Sequence, residues 1–309
     1  MGLLNGRAAI ITGAGRGIGA SIARLFAAEG ARLVLNDLGS ATDGRGADGR
    51  PVRELETALL ATGADVCSDC GDVGETATGE RLVKLALDKY GQLDVVVNVA
   101  GILRDRMIFN LSEGDWDAVV RVHLRGHYAT IRPATAYWRE QRNPDGHYRI
   151  INFTSDAALQ GSPGQPNYAA AKMGIVGLTY SLANALKPYG VTANAIAPDA
   201  STRMTATVPE EKLIESEVAE GEQSSPDNVA PLVAYLASTE SDWLTGRILG
   251  AGGHSVSLWT DPQVVERLRT DGPWDLRDLA QKLEAKFRPR ADGLRPSMFL
   301  SQVPPGRGS

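Results

Sequence analysis

The chain has 309 residues, 43% of them hydrophobic and 22% charged, a composition of soluble globular proteins that argues against a disordered, fibrous or membrane-embedded chain. A formal charge of -5 offers nucleic acid no electrostatic foothold, so the expected partner is a small molecule and no nucleic acid. No apolar run approaches the roughly 20 residues of a membrane helix, and no signal-peptide core, lipidation motif or peroxisomal address is readable, so the expected location is cytoplasmic.

In chain order, Ala8–Ile11 reads as a first strand. Ile18, Ile22, Leu25 and Phe26 then recur at helical spacing, and Ala31–Leu35 reads as a second strand. Gly39–Arg50, rich in Gly, Asp and Ser, reads as a long loop. Cys67 and Cys70 form a C-x-x-C, read here as reduced thiols because no other Cys or His cluster supports redox or metal chemistry. Further β-type runs at Leu93–Val97, Arg149–Phe153, Val191–Ile196 and Arg247–Leu249 alternate with helical patterns. Such alternation predicts a doubly wound α/β fold, a parallel sheet covered by helices on both faces. Beyond Gly253 the pattern changes. The expected division is a domain over 1–254 and a C-terminal extension over 255–309, packed on the core or on a neighbouring subunit, with helices near Pro262–Arg269 and Leu276–Phe287.

Between the first strand and first helix stands Thr12-Gly13-Ala14-Gly15-Arg16-Gly17-Ile18-Gly19. Gly13, Gly15, Gly17 and Gly19 allow a tight turn and close backbone approach to a pyrophosphate, which Arg16 and Ile18 would also flank at the positive helix N-terminus. The second strand ends at Asn36-Asp37, where a carboxylate can accept both ribose hydroxyls of an adenosine and repel a 2′-phosphate, so NAD is the expected cofactor. Arg16 is the counterweight, a cation that a 2′-phosphate could use. Asp72 and Val73, after the third strand, stand where an adenine edge could be contacted.

The run Arg149–Phe153 leads into Thr154-Ser155, and Tyr168 follows 13 residues after Ser155, with Lys172 four further on. On a helix Tyr168 and Lys172 share a face. A tyrosine ionises near pH 10, and an adjacent ammonium favours the phenolate, which makes Lys172 the expected activator of a Tyr168 base.

Together with Asn98-Val99-Ala100-Gly101 and Ala197-Pro198, these motifs resemble the short-chain dehydrogenase/reductase family over residues 5 to about 253. The resemblance implies a Rossmann-type sheet of about seven strands in three αβα layers, catalytic roles for Ser155, Tyr168 and Lys172, and cofactor contacts at Asn98, Ala100, Gly101, Pro198 and Thr202. His123 stands where the family carries a fourth catalytic residue, an asparagine, and Val99 and Asp199 also depart from the usual pattern. Val122–Gly126, Asn36–Gly39 and Ala197–Thr205 resemble the 3-hydroxyacyl-CoA dehydrogenase subfamily of multifunctional enzyme type 2, also called 17β-hydroxysteroid dehydrogenase type 4, and Ile102–Met107 and Ala136–Arg139 resemble its actinobacterial steroid-catabolic relatives. The function implied is NAD-dependent oxidation of a secondary alcohol, an acyl-CoA or steroid alcohol, with Arg104 and Arg106 as candidate CoA-phosphate contacts. The acidic segment Met204–Pro226 would oppose a CoA tail and keeps a free steroid or other alcohol open, beside a non-catalytic NAD-binding scaffold. A homodimer or homotetramer is implied through helices over 112–141 and 166–187, whose Val119, Val120, Leu178, Leu182 and Leu186 exceed what one sheet face needs.

Overall fold

The computed structural model describes residues 2–199, 222–294 and 297. They belong to two compact units, Met1–Trp259 and Thr260–Ser309. In the first, the strands are β1 (Ala8–Thr12), β2 (Arg32–Asn36), β3 (Val66–Asp69), β4 (Val95–Asn98), β5 (Tyr148–Phe153), β6 (Val191–Asp199), β7 (Ile248–Gly252) and β8 (Ser255–Leu258). The helices are α1 (Gly17–Ala28), α2 (Arg50–Ala61), α3 (Thr76–Tyr90), α4 (Glu113–Val120), α5 (Gly126–Gln141), α6 (Pro166–Leu186) and α7 (Ala230–Ala237).

One sheet of eight strands runs β3-β2-β1-β4-β5-β6-β7-β8, parallel from β3 to β7 and closed by an antiparallel β8. The sheet is one strand larger than expected and continues past residue 254. Gly253, at φ 54°, lets the chain turn back so that Gly252 pairs with Ser255. All of β8 is exposed, so its side chains carry no burial pattern from which a strand could be read.

The inner strands are apolar and buried on both faces, as covered parallel strands must be. One core layer packs Ile22, Phe26, Val52 and Val233 from α1, α2 and α7 against the sheet; the other packs Leu82, Ile131, Trp138 and Ala183 from α3, α5 and α6. This is the three-layer αβα arrangement. Segment 112–141 is helical as expected, from the Ser112 cap through α4 and α5 without a break, with a π turn over Arg121–Arg125 between them. Val119 and Val120 pack beside Ile102 and Ala171, and Leu178, Leu182 and Leu186 against the second core layer, so these apolar side chains are largely spent within the chain. Trp116, Tyr128 and Met173 remain exposed on α4, α5 and α6.

In the second unit, Asp275 caps α8 (Leu276–Lys286) by accepting from the Arg277 and Asp278 amides, and α9 (Arg288–Ala291) follows. No helix forms over 262–269, where Val264 and Val265 are both exposed and give a helix no buried face. Cys67 lies by the Leu33 carbonyl and Tyr90, Cys70 by the Gly49 carbonyl. Among the described residues no helix is long and apolar enough to cross a membrane, and no group of three or more His, Cys, Asp or Glu could hold a metal ion.

Candidate active site

Parallel strands deliver their C-terminal ends to one edge, and β1 and β4 are neighbours there although β2 and β3 intervene in sequence. This reversal of strand order is where an open α/β sheet leaves its crevice. The glycine turn lines it. Gly13 sits at φ 66°, and a Cβ on it would come 2.8 Å from the Cα and N of Ala100, in the segment that follows β4. A Cβ on Gly19 would come 2.1 Å from the Gly13 carbonyl oxygen. Gly17 opens α1 at φ 52°, and Arg16 before it makes no side-chain cap, so no cap from that residue competes for the first amides of the helix.

Asp37 closes the other side. Its Oδ2 accepts from the Gly15 amide at 2.8 Å and its Oδ1 from the Gly39 amide at 2.6 Å. A Cβ on Gly15 would stand 2.9 Å from that Oδ2. A backbone cradle of glycine amides beside a fixed carboxylate fits the phosphates and adenosine ribose of a nicotinamide nucleotide, with Gly13 to Gly19 and Asp37 as its holders.

The other expected contacts are placed less uniformly. Asp72 is held by the Arg121 guanidinium at 2.8 Å and accepts from the Gly74 amide, while Val73 is buried against Gly126. The Asn98 side chain turns inward, taking a hydrogen bond from Thr130 at 2.6 Å and giving one to Asn152 at 3.1 Å, and Asn152 continues to Thr179. The amides of Val99 and Ala100 donate to Thr12 Oγ1, which fixes the loop leading to Gly101. Pro198 lies at the end of β6. Thr202 and Met204–Gly221 fall outside the described residues.

Ser155, Tyr168 and Lys172 converge beyond the end of β5. Ser155 stands near enough to the Tyr168 hydroxyl to favour its ionised form, and Ser155 Oγ accepts from the Ala157 amide at 3.2 Å. Lys172, one helical turn after Tyr168, has its ammonium 5.6 Å from the Tyr168 ring centroid and donates to the Phe153 carbonyl at 2.7 Å. Lys172 is buried, and that burial pushes its ammonium down to about 7. Burial likewise pushes the Tyr168 hydroxyl up to about 12; the neighbouring Ser155 side chain works against this and the charge of Asp105 adds to it. The geometry therefore differs from the expected activation. Lys172 is aimed at a backbone carbonyl, and burial disfavours both charged forms.

His123 is fully buried, its ring edge-on to Tyr168 at 5.0 Å between centroids. Its Nε2 lies 3.0 Å from the Ile102 amide and 2.8 Å from the Ile102 carbonyl, and its Nδ1 has no partner. Burial, then the charge of Lys172, hold the ring neutral well below its ordinary range. A Cβ on Gly101 would fall 2.3 Å from His123 Cε1, so the ring itself dictates glycine there.

Several contributors were not foreseen. His127 Nδ1 lies 2.7 Å from the His123 carbonyl, the i,i+4 spacing being the available signal. Asn167 Oδ1 accepts the Tyr168 amide at 2.9 Å, and Gln165 Nε2 donates to Asp105 at 2.9 Å. Polar side chains around the helix-opening Pro166 are the cue for these two. Arg104, expected as a free cation, gives its donors to the Asp43 carbonyl at 2.8 Å and to the Gly114 carbonyl and Asp115 carboxylate, each at 3.3 Å. Arg106 is exposed and donates to the Asp105 carbonyl.

A buried ammonium that titrates near 7 binds fewer protons folded than unfolded, so it weakens the fold below about 7 and stops doing so as the pH approaches the ordinary lysine value. Lys172→Met is expected to raise stability by on the order of 2 kcal/mol at pH 6, net of the lost hydrogen bond, with the gain fading by pH 10. Urea midpoints at the two pH values check this. A lower midpoint for the variant at pH 6 would contradict it.

The match to known proteins covers most of the chain. Residues 13–253 match the family model described as enoyl-(acyl carrier protein) reductase. The chain is 41% identical over 292 residues to hydroxyacyl-CoA dehydrogenase ChsB1 of Mycobacterium tuberculosis, covering 93% of this chain and 90% of that one. It is 40% identical to peroxisomal multifunctional enzyme type 2 of Mus musculus over 82% of this chain, spanning only 33% of that longer protein. The crystal structure of a short chain dehydrogenase from Mycobacterium avium superposes with a TM-score of 0.83 at 41% identity, covering 96% of this chain and 98% of that one. The chain belongs to the short-chain dehydrogenase/reductase family, whose members and relatives here make it an oxidoreductase acting on CH-OH groups.

Proposed function

We propose that the protein oxidises the 3-hydroxyl of an acyl-CoA thioester, one with a bulky and steroid-derived acyl group, to the 3-ketone with NAD as the acceptor. The observation that carries this reading is the convergence of Ser155, at the end of β5, with Tyr168 and, one helical turn further along α6, the buried Lys172. Ser155 holds the substrate oxygen, and Tyr168 Oη takes the hydroxyl proton as general base. The nicotinamide, when bound, supplies the hydride acceptor. Lys172, bonded to the Phe153 carbonyl, seats Tyr168 one turn earlier on α6, and His123, neutral and tied to Ile102, packs edge-on against the Tyr168 ring. Preference for NAD over NADP rests on Asp37, whose lone pairs beyond the Gly15 and Gly39 amides suit ribose hydroxyls and repel a phosphate.

The acyl-CoA substrate is supported by the name of the 41% identical relative, a hydroxyacyl-CoA dehydrogenase. One observation favours a second reading, a free steroid or other secondary alcohol. Arg104 is committed to Asp43, Gly114 and Asp115, which leaves only Arg106 of the expected pair to meet CoA phosphates. Turnover with NAD and with NADP against 3-hydroxyacyl-CoA esters, free steroid alcohols and short secondary alcohols decides between them. The expected result is turnover of the CoA esters with NAD at least about tenfold above NADP in kcat/KM. Turnover of free alcohols alone would transfer the assignment to the second reading, and nucleotide binding without turnover of any alcohol would leave a scaffold.

The same reading includes self-association as a homodimer or homotetramer through the α4–α6 face, which leaves Trp116, Tyr128 and Met173 exposed. Light scattering at micromolar concentration is expected to give twice or four times the 32.8 kDa chain mass. A monomeric mass would contradict it.

A further inference from the structure

The loop over 38–49 is an ordered strap. Its ends meet where the Asp48 amide donates to the Leu38 carbonyl at 3.0 Å, and a Cβ on Gly39 would overlap the Asp48 carbonyl oxygen at 1.7 Å. Its tip reaches the segment after β4. The Leu103 amide donates to the Thr42 carbonyl at 2.8 Å, Arg104 Nε to the Asp43 carbonyl at 2.8 Å, and a Cβ on Gly44 would meet Ile102 Cδ1 at 2.8 Å. In the sheet β2 and β4 flank β1. A chain segment that leaves β2 and docks on residues following β4 must cross the C-terminal end of β1, where the glycine turn stands. The strap thus spans the crevice over its adenosine side.

Arg104 joins this strap to the catalytic helix. Its guanidinium holds the Asp43 carbonyl on one side and the first turn of α4, through Gly114 and Asp115, on the other. Its carbonyl accepts from Asn167 Nδ2 at 3.1 Å, and Asn167 Oδ1 takes the Tyr168 amide at 2.9 Å. Asn167 is fully buried, so this link has no competing water.

We infer that Arg104 is a positioning residue, a latch that closes the 38–49 strap over the adenosine half of the nucleotide and, through Asn167, ties that closure to the placement of Tyr168. The inference rests on the nucleotide-dependent reading above. It reassigns Arg104 from a substrate phosphate to the cofactor side of the site. A planar guanidinium reaches three acceptors on two elements at once, which a lysine ammonium on a flexible stem does poorly.

The test measures binding of NAD, ADP-ribose and nicotinamide mononucleotide by calorimetry to the wild-type protein, Arg104→Met and Arg104→Lys, with urea midpoints taken without nucleotide. Losing the latch is expected to weaken ADP-ribose and NAD about tenfold in Arg104→Met and about threefold in Arg104→Lys. Nicotinamide mononucleotide should be unaffected, and in turnover the KM for NAD should rise more than the KM for the alcohol. Unchanged ADP-ribose affinity in both variants would overturn the latch. So would equal weakening of ADP-ribose and nicotinamide mononucleotide, or a lowered urea midpoint with affinity intact, either of which marks a general structural role. A wild-type protein that binds neither NAD nor ADP-ribose would instead overturn the nucleotide reading itself. If Arg104→Met fails to fold, Arg104→Lys alone decides by the same fragment comparison.

Discussion

The ammonium of Lys172, buried and donating to the Phe153 carbonyl, is the interaction around which the candidate active site is arranged. Taking an ammonium out of water costs several kcal/mol, and one carbonyl dipole returns only part of it. That cost is carried by the rest of the fold, since the hydrogen bond pins α6 to the end of β5. It sets Tyr168, one turn earlier on α6, within reach of Ser155, two residues past Phe153. The charge also governs its neighbours. His123 and His127 are both fully buried and both held neutral, by burial first and then by Lys172, because the interior cannot hold a second cation beside the first.

A second constraint, purely steric, shapes the nucleotide side. The glycine turn lies so close to Ala100 that no side chain fits at Gly13, and Gly15 stands against the Asp37 carboxylate, which brings backbone amides and a carboxylate to the same crevice wall. The strap over 38–49 adds a cover to that wall and is held by backbone carbonyls, so its hold depends on the shape of the loop more than on the identity of its side chains. The two halves of the site meet at residues 102–105, where Ile102 faces His123, Arg104 faces the strap and Asp105 faces Gln165.

The meeting of Ser155, Tyr168 and Lys172 was legible because spacing constrains it. Tyr168 and Lys172 four apart, and Ser155 at a strand end, leave few other arrangements, and the glycine turn between strand and helix fixes its own location. What could not be read depends on contacts far apart in sequence. The burial that depresses Lys172 comes from packing across β5 and α6, and the commitments of Arg104 exist only once the strap has folded onto it from 61 residues away. The helix expected over 112–141 is there, but the π turn it carries at Arg121–Arg125 left no mark in the apolar spacing. β8 was missed because an exposed edge strand needs only ladder hydrogen bonds, and the helix expected over 262–269 is absent because apolar spacing without a surface to bury it does not fold a helix.

On the proposed mechanism the substrate proton passes to Tyr168 although burial holds its hydroxyl at about 12. Single-turnover hydride transfer, followed by nicotinamide absorbance from pH 6 to 10 in the wild-type protein and in Tyr168→Phe, tests it most directly. The account predicts a wild-type rate that climbs with pH as the phenolate fraction grows, up to about tenfold per unit, and a Tyr168→Phe rate at least about a hundredfold lower and flat. A variant that keeps the same climb with pH would show that the proton goes elsewhere.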